Sequence, residues 1–485
     1  MTADSYDQLP YNTLPQRESN PSRLAAIAQV LGVDAPSVDT CSVLEIGCGT
    51  GGNLIPLAER FPDSRFVGFD LSGRHIIEAQ RRIAELGFNN ITFEHSDVRD
   101  FSCKDGEFDF ILCHGVYSWV PTDVQKQILT LVQKALSARG VAYVSYNVRP
   151  GWYQRGVVRD ILSFGGALSS SAHGEARVHK ALEFLRLVAA SRSDERDLYG
   201  TYLKEACERL QHSDPSYIAH EYLEVSNNPC TFSEFNDQAK SAGLQFLSES
   251  RPVFSSLNDI APQAQAFVNE LGDDVVQREQ ALDLLRNRAF RETLLCHSQQ
   301  VFKRDLRASA LRGVIAVSDY THVGRDAARD FLFQEIVTGR EIVLPAGLHA
   351  EVLSVVASGF SAGMIVERVL DQVGAPERDV LAAVAMLWTS GFITLEQLPI
   401  PAASSLEGAP RLSRVARMQL ERNEPLCTLR HQALGATPAE LTLLKEIDGS
   451  KKLAEIIAAS AEPEKTQSLI VAMIERGALT AQSAA

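Results

Sequence analysis

The chain has 485 residues, enough for about three domains of ordinary size. Lys and Arg number 47 and Asp and Glu number 61, so the formal net charge is −14, and so acidic a surface argues against nucleic acid as a partner. The eight cysteines form no CxxC pair, and no stretch reads as a membrane span or a secretory signal, which together predict a soluble cytoplasmic protein.

Short β-rich runs alternate with helical segments in the first part of the chain. Strands are predicted at 42–47, 65–70, 91–97, 108–113 and 140–146, and helices at 21–31, 52–61, 72–86 and 122–136. Strands rich in branched residues and separated by helices are typical of a doubly wound parallel sheet. We therefore predict an α/β core domain at 1–152.

The alternation stops after residue 152. A Gly- and Ser-rich stretch at 163–174 predicts a loop, and helices are predicted at 176–191 and 198–212. Further on, Thr231 is placed to cap a helix that runs to Ala242, and strand-like runs follow at 244–247 and 293–296. We expect a helical insertion at 153–220 and a segment at 221–302 that completes the same sheet. A separate helical domain that adds nothing to the sheet is the alternative.

The chain beyond residue 303 is predicted to be mostly helical, and a Pro-, Ala- and Ser-rich linker at 399–405 divides it. The parts on each side, 303–398 and 411–485, resemble each other weakly, and each ends in a Gly-x-x-Thr run. A helix-turn-helix followed by a short strand predicts two winged-helix-like domains. Glu367 and Asp371 disfavour a DNA-reading helix, so we expect these domains to bind protein or to dock on the core domain.

The strongest chemical signal lies where the first predicted strand ends. The run LEIGCGTGG at 44–52 leaves a strand and enters a helix, and its glycines allow the backbone to approach a ligand closely. Asp70 ends the second strand, where a carboxylate can accept hydrogen bonds from two ribose hydroxyls. The spacing also fits the dinucleotide pattern GxGxxG, so NAD is an alternative ligand.

Three features favour S-adenosylmethionine over NAD. Glu45 stands two residues before the first glycine, where a carboxylate suits a cationic ligand and would repel a pyrophosphate. Asp97 ends the third strand, where an adenine amino group could donate to it, and CHGVY at 113–117 forms a polar and aromatic lip for a methyl acceptor. The predicted cofactor-binding residues are Glu45, Gly47, Cys48, Gly49, Gly51, Asn53, Asp70, Leu71, Asp97, Val98 and His114.

These residues resemble class I S-adenosylmethionine-dependent methyltransferases, and more narrowly the bacterial group that carries a methyltransferase regulatory domain. That group includes protein-lysine methyltransferases that act on outer-membrane proteins. The matching segments are YDQLPY at 6–11, LEIGCGTGGNLIP at 44–56, HGVYSWVP at 114–121, YVSYN at 143–147, PGW at 150–152, the stretch 235–247 and FRETLL at 290–295. The resemblance implies a Rossmann-like methyltransferase sheet, S-adenosylmethionine as cofactor and a protein substrate.

The chain departs from the group at three points near the expected acceptor side. Ser19-Asn20 stand where the group often has Thr-His, Val148-Arg149 replace a Thr-Tyr-like pair, and Tyr153 stands in place of His. These departures put the identity of the substrate in doubt.

Methyl transfer from a sulfonium is an in-line displacement in which the donor is already activated, so no metal is required. A lysine acceptor must first lose a proton, and desolvation beside a sulfonium lowers its pKa. Tyr117 and Trp119 could hold the amine by cation–π contact, and Tyr146 and Asn147 could orient it by hydrogen bonds. His114 could take the proton or could be a hydrogen-bonded structural residue.

We expect a methyltransferase that acts on protein side chains, with lysine as the acceptor. The insertion and the C-terminal domains would then serve substrate recognition or form a homodimer surface. Methylation of a small metabolite, an NAD-dependent oxidoreductase and a non-catalytic binding module are the alternatives.

Overall fold

A seven-stranded sheet forms the centre of the first 300 residues. The computed structural model describes residues 13–168, 174–192, 196–302, 304, 306 and 308–481, so the YDQLPY motif lies outside it. The strands are β1 Ser42–Ile46, β2 Arg65–Asp70, β3 Ile91–His95, β4 Phe108–Cys113, β5 Leu136–Asn147, β6 Leu244–Glu249 and β7 Phe290–His297. Their order is β3-β2-β1-β4-β5-β7-β6. The predicted sheet and its completion by the later strands are confirmed, although β7 runs antiparallel to both its neighbours.

Helices cover both faces of this sheet. They are α1 Pro21–Val30, α2 Leu54–Arg60, α3 Gly73–Leu86 and α4 Thr122–Ala135. Side chains alternate along each strand, so that Val43 and Phe110 join the cluster of α1, α2 and α3, whereas Leu44 and Ile111 join the cluster of α4. Because both faces are buried, the strands read as nearly continuous apolar runs, which is why the sequence pattern located them.

In the described part of the insertion, four helices share a hydrophobic core of their own. They are α5 Gly151–Ala167, α6 Glu175–Ala190, α7 Leu198–Leu210 and α8 Pro215–Tyr222. The prediction of a loop from residue 163 is wrong as far as residue 167, which still belongs to α5. Gly165 lies there against Phe184 of α6, where a Cβ atom would overlap its side chain, so this glycine serves close helix packing. Residues 169–173 lie outside the described part.

The chain then returns to the sheet through three helices. They are α9 Phe232–Ser241, α10 Pro262–Glu270 and α11 Val275–Arg286. Thr231 caps α9 as predicted, in a capping box with Glu234. None of the helices in the described ranges is long and apolar enough to cross a membrane.

The first C-terminal domain contains more β-structure than the sequence predicts. Its strands are β8 Ile315–Ser318, β9 Tyr320–Arg325, β10 Phe331–Glu335, β11 Glu341–Leu344, β12 Met364–Ile365 and β13 Ile393–Glu396. Its helices are α12 Leu348–Ala357, α13 Val366–Val373 and α14 Glu377–Thr389. The prediction of a mostly helical segment is therefore wrong at this point, because β9, β10 and β11 form an antiparallel sheet. Phe331 and Phe333 are buried in this sheet, but polar and charged residues such as Thr321, Arg325 and Glu341 interrupt or border its short strands, which hides the β pattern.

Apart from its first helix, the second C-terminal domain repeats the order of antiparallel strands followed by three helices that the first shows. Its elements are α15 Arg414–Glu421, β14 Leu426–Cys427, β15 Ala433–Leu434, α16 Pro438–Glu446, α17 Leu453–Ala459 and α18 Pro463–Glu475. In the first domain, β8 pairs with β12 and β13. In the second, the single residue Arg411 forms bridges with Asp448, between α16 and α17, and with Thr480, after α18. The repeat is therefore visible in the structure, but isolated bridges in the second domain take the place of the sheet that β8, β12 and β13 form in the first.

The second C-terminal domain docks on the helices beside the glycine-rich turn. Glu424 accepts a bidentate pair of hydrogen bonds from Arg82 of α3, at 2.8 and 2.7 Å. Glu59 of α2 accepts from the backbone N–H groups of Arg414 and Val415, at 2.6 and 3.1 Å, at the start of α15. This domain is therefore fastened to the half of the sheet that carries the predicted cofactor site.

Candidate functional site

A cavity of about 600 Å³ opens at the carboxyl ends of β1, β2, β4 and β5. This is the edge at which ligands bind in open α/β sheets. Of the predicted site residues, Glu45, Gly47, Gly49, Asn53, Asp70, Leu71, Asp97, Val98, His114, Trp119 and Asn147 line it. The structure therefore brings most of the predicted residues to one space.

The glycine-rich turn forms one wall of the cavity. The N–H groups of Gly47 and Cys48 both donate to the carbonyl of Phe69 in β2, at 2.9 and 3.1 Å, which holds the turn against the sheet. Gly47 has a φ of 72°, and a Cβ atom there would overlap Val116. Two predicted residues do not reach the cavity wall, because the Cys48 side chain is buried in the sheet core and the Cα of Gly51 faces Phe93.

Glu45 presents a buried carboxyl group to the cavity. Its Oε1 accepts a hydrogen bond of 2.7 Å from Asn53 Nδ2, whereas its Oε2 has no hydrogen-bond partner among the described residues. Burial raises the pKa of Glu45 to about 8, and the nearby Asp70 adds to the effect. A buried acid with one unused oxygen fits a cationic group of a ligand.

Asp70 and Asp97 lie farther along the same edge. Asp70 accepts hydrogen bonds from the Gly49 N–H at 2.9 Å and the Ser72 N–H at 2.8 Å, one on each oxygen. Each oxygen keeps a lone pair for a hydroxyl donor. Asp97 is clamped by Arg99, whose backbone and guanidinium groups donate at 2.5 to 2.9 Å and hold the pKa of the carboxyl below its usual range.

His114 belongs to a hydrogen-bonded chain that fixes its ring. Tyr143 donates its hydroxyl proton to Glu292 at 3.0 Å, and Glu292 in turn forms an ion pair with Arg251 at 2.6 Å. The Tyr143 oxygen therefore accepts from His114 Nδ1, at 2.8 Å, which leaves the lone pair of the ring on Nε2. Burial, together with Arg251, lowers the pKa of His114 to about 4, so the ring is neutral near pH 7.

The four aromatic and amide residues predicted on the acceptor side separate into two groups. Trp119 and Asn147 line the cavity. Tyr117 and Tyr146 do not, because both rings are buried in the sheet core around Phe235, which stacks on Tyr146 at 3.9 Å. Their hydroxyls bond to Gln238 and Thr293, so the predicted contact of these two tyrosines with an acceptor is wrong.

The sequence did not indicate the part of the wall that comes from the insertion. Among the cavity residues that it missed are Thr13, Gln16, His75, Arg99, Asp123, Arg155, Tyr217, His220, Glu221 and Phe290. Tyr217, His220 and Glu221 lie on one face of α8, at spacings of three and four residues. That spacing marks a helix face, but which partner the face meets depends on how the insertion folds back. Burial raises the pKa of Glu221, against the opposing effect of Arg155 at 3.5 Å.

The wall residues fit S-adenosylmethionine. The unused Oε2 of Glu45 suits its ammonium group, and the free lone pairs of Asp70 suit its ribose hydroxyls. When ionised, the Glu45 carboxyl would repel the phosphates of NAD. The donor set therefore favours a cationic nucleoside over a dinucleotide.

Comparison with known proteins connects this site to methyltransferases. A family model described as a methyltransferase domain matches residues 43–140, and one described as a predicted methyltransferase regulatory domain matches residues 214–297. An uncharacterized protein of Rickettsia prowazekii is 36% identical over 301 residues, which is 62% of this chain and 54% of that protein. A second one is 32% identical over 243 residues, which is 50% of this chain and 96% of that protein. The chain thus spans about half the length of the first relative and nearly all of the second.

One solved structure matches nearly the whole fold. PKMT2 of Rickettsia typhi, determined in complex with AdoHcy, aligns with a TM-score of 0.84 over 97% of this chain and 100% of that one, at 24% sequence identity. The match extends through both C-terminal domains and confirms the predicted architecture of a methyltransferase sheet with additional domains.

Proposed function

Because the chain belongs to the methyltransferases that carry a methyltransferase regulatory domain, we propose that it transfers methyl groups from S-adenosylmethionine to lysine side chains of proteins. One observation carries the proposal. The same cavity is lined by the glycine-rich turn on one side and by acidic and aromatic residues of the insertion on the other. When bound, S-adenosylmethionine supplies an electrophilic methyl group, and its transfer to an amine leaves S-adenosylhomocysteine.

The cofactor end of the cavity is the part that the strand ends form. Glu45 binds the ammonium group of the cofactor, Asp70 binds the ribose hydroxyls, and Asp97 and Val98 border the adenine. AdoHcy in PKMT2 supports this assignment, because that protein has the same fold.

The acceptor end of the cavity has the chemistry that a lysine side chain requires. Asp123 and Glu221 supply carboxyl groups that attract the ammonium form of the side chain, and Trp119 and Tyr217 supply aromatic faces. Asn147 lies beside them, with its amide held by Asn227 at 3.1 Å. Because Arg155 pairs with Glu221, the preference for an amine over an anionic acceptor rests mainly on Asp123.

His114 orients the amine and does not hold its proton. A base with a pKa near 4 is almost entirely deprotonated at pH 7 and binds a further proton weakly. Its Nε2 can still accept a hydrogen bond from an amine N–H, which turns the nitrogen lone pair away from the ring. The amine itself loses its proton to solvent, because burial next to a cationic cofactor lowers its pKa.

The test is transfer of labelled methyl groups from S-adenosylmethionine to macromolecules of a cell extract by the purified full chain. We expect the label in protein, on lysine when located by mass spectrometry. Asp70→Asn should remove most of this label and weaken binding of S-adenosylhomocysteine at least tenfold, since it replaces a carboxylate by an amide at the ribose. Glu221→Gln should reduce the label without a change in that binding.

Other outcomes point to other functions. Label that stays in the small-molecule fraction would replace the proposal by methylation of a metabolite. Label on a protein residue other than lysine would overturn the assigned acceptor but leave methyl transfer standing.

A further inference from the structure

The side chain of Asn53 is part of the cavity wall, and all its hydrogen-bonding capacity is in use. Its Nδ2 donates to Glu45 Oε1 at 2.7 Å and to Ser19 Oγ at 3.1 Å. Its Oδ1 accepts from the Gln16 N–H at 2.8 Å and from His431 Nε2 at 2.7 Å. Two donors and two acceptors are the capacity of a primary amide, so each of these partners restricts the orientation of Asn53.

His431 comes from the second C-terminal domain, 378 residues farther along the chain. It lies in the turn between β14 and β15 with a φ of 59°, and its N–H donates to the carbonyl of Thr428 at 2.9 Å. The ring is buried, and burial near Arg60 lowers its pKa to about 3, so it is neutral. Because Asn53 Oδ1 can only accept, the single ring proton of His431 lies on Nε2.

We propose that His431 is a positioning residue for the cofactor site, through which the second C-terminal domain controls the affinity for the amino-acid end of S-adenosylmethionine. His431 holds Asn53, and Asn53 holds one oxygen of Glu45, which leaves the other oxygen, without a partner among the described residues, for the ligand. The inference rests on the proposed function, since it takes that cofactor as the ligand. It adds a residue and a regulatory route that the cavity wall alone does not indicate.

The contact of His431 is not needed to dock the hairpin. The neighbouring Arg430 donates to the carbonyl of Ser318 at 3.0 Å and forms an ion pair with Asp319. The bidentate pair of Arg82 with Glu424 fastens the same domain to α3. These contacts hold the hairpin in place on both sides without His431. The hydrogen bond from His431 to Asn53 therefore acts on the amide and is not required for docking.

The test compares two ligands that differ in the amino-acid end alone. S-adenosylhomocysteine has the ammonium group that Glu45 would bind, whereas 5′-methylthioadenosine has the same nucleoside and thioether without it. Dissociation constants of both are measured by calorimetry on the full chain. In His431→Asn, the side-chain N–H donor is about one bond closer to the backbone than His Nε2 and no longer reaches Asn53, and Asn tolerates a positive φ. In His431→Gln, the amide nitrogen is as far from the backbone as Nε2 and can still donate to Asn53.

We expect His431→Asn to weaken S-adenosylhomocysteine about tenfold, the effect of one buried hydrogen bond, and to leave methylthioadenosine within about twofold. His431→Gln should restore most of the loss. Glu424→Gln is the matched control, because it weakens docking of the same domain without contact to Asn53, and it should leave the ratio of the two dissociation constants unchanged. His431→Gly suits the same backbone and replaces His431→Asn if that variant fails to fold.

Equal weakening of both ligands, or none, would overturn the inference, because the effect would then not pass through Glu45. A wild-type chain that binds neither ligand would overturn the proposed function and this inference with it. A wild-type chain that binds both, with an unchanged ratio in His431→Asn, would overturn the inference alone.

Discussion

The buried carboxyl group of Glu45 lowers the stability of the ligand-free protein and favours the binding of a cationic ligand. Burial raises its pKa from an ordinary value of 4.5 to about 8, so the ligand-free protein carries it mostly protonated at pH 7. The unfolded chain ionises this group near pH 4.5, so folding becomes less favourable as the pH rises from there towards 8. A cationic ligand stabilises the carboxylate of Glu45 and therefore lowers the pKa of this group in the complex.

Binding of S-adenosylhomocysteine should therefore release a proton from Glu45. Between pH 6 and 7.5 we expect the affinity to rise with pH, by at most about tenfold per unit, because the ligand selects the ionised carboxylate. Calorimetry in two buffers of different ionisation enthalpy measures the released proton. Glu45→Gln should abolish the release and weaken binding, and it should raise the unfolding temperature of the ligand-free chain more at pH 8 than at pH 5.

Methylthioadenosine is the control for this prediction, because it lacks the ammonium group and should bind without proton release. A proton release of the same size in Glu45→Gln would assign the linkage to another group and contradict the prediction.

The residues of the cofactor end were predictable because strand ends meet at one edge of a parallel sheet. The acceptor side was predicted less well. Tyr146 and Asn147 are adjacent in β5, and alternation of side chains implies that they point to opposite faces. The sequence did not reveal that Tyr146 meets Phe235 of α9, since this contact depends on a helix that arrives about 90 residues later. His431 lies farther still from its partner, and no local pattern marks it.

At the level of elements, a buried ionic cluster joins β7 to β6 and α11. Arg291 is fully buried and pairs with Glu249 at 2.7 Å, Asp283 at 2.9 Å and Glu279 at 3.0 Å. Three carboxyl groups from two elements thus converge on one guanidinium. Arg288 also pairs with Glu249 and Asp283, so removing Arg291 would leave Glu279 without this partner and one cation for the other two buried carboxyl groups.

We expect Arg291→Met to destabilise the chain by about 3–5 kcal/mol, because methionine fills similar space but leaves three buried acids with Arg288 as the remaining cation. Urea unfolding followed by tryptophan fluorescence measures the change. Arg312→Met is the control, since its pair with Glu377 is exposed, and it should leave the unfolding midpoint unchanged. A midpoint for Arg291→Met equal to that of the wild type would show that the acids find other partners or protonate without cost.

Long, regular elements were predicted well and glycine-rich or polar ones were not. The pattern located β2 and β4 with the bounds that the structure shows, because both strands are apolar and end in distinct turns. It took Gly165 as a sign of a loop, where the glycine instead allows α5 to lie close to α6. It missed β9 to β11, since polar side chains on their exposed face break the apolar runs.

In the whole molecule, the last domain along the chain contacts the first one, which the order of the domains in the sequence does not indicate. The repeat at 303–398 and 411–485 was weakly visible in the sequence, and the structure shows antiparallel strands followed by three helices in both parts. The sequence did not show that the second part docks on α2 and α3. The ion pairs that fasten it, such as Arg82 with Glu424, join residues 342 positions apart and have no sequence signature of their own.

This arrangement predicts that ligand binding at Glu45 reaches the hairpin of β14 and β15. Coupling between two sites is reciprocal, so a hairpin that strengthens binding of the amino-acid end must itself be stabilised when that end is bound. We expect S-adenosylhomocysteine to slow hydrogen exchange of backbone amides at 426–434 by up to about tenfold, the factor expected for loss of the His431 contact. Mass spectrometry of peptides from the full chain measures the exchange.

The comparison of ligands and variants separates this coupling from general stabilisation. Methylthioadenosine at saturation should protect the glycine-rich turn but not 426–434, because it does not engage Glu45. In His431→Asn, S-adenosylhomocysteine should protect the turn alone. The exposed strands β10 and β11 should exchange at the same rate throughout, since they make no contact with the cavity wall. Protection of 426–434 by methylthioadenosine, or in His431→Asn, would show that the second C-terminal domain responds to overall tightening of the fold. The hydrogen bonds from Glu45 through Asn53 to His431 would then not be the route.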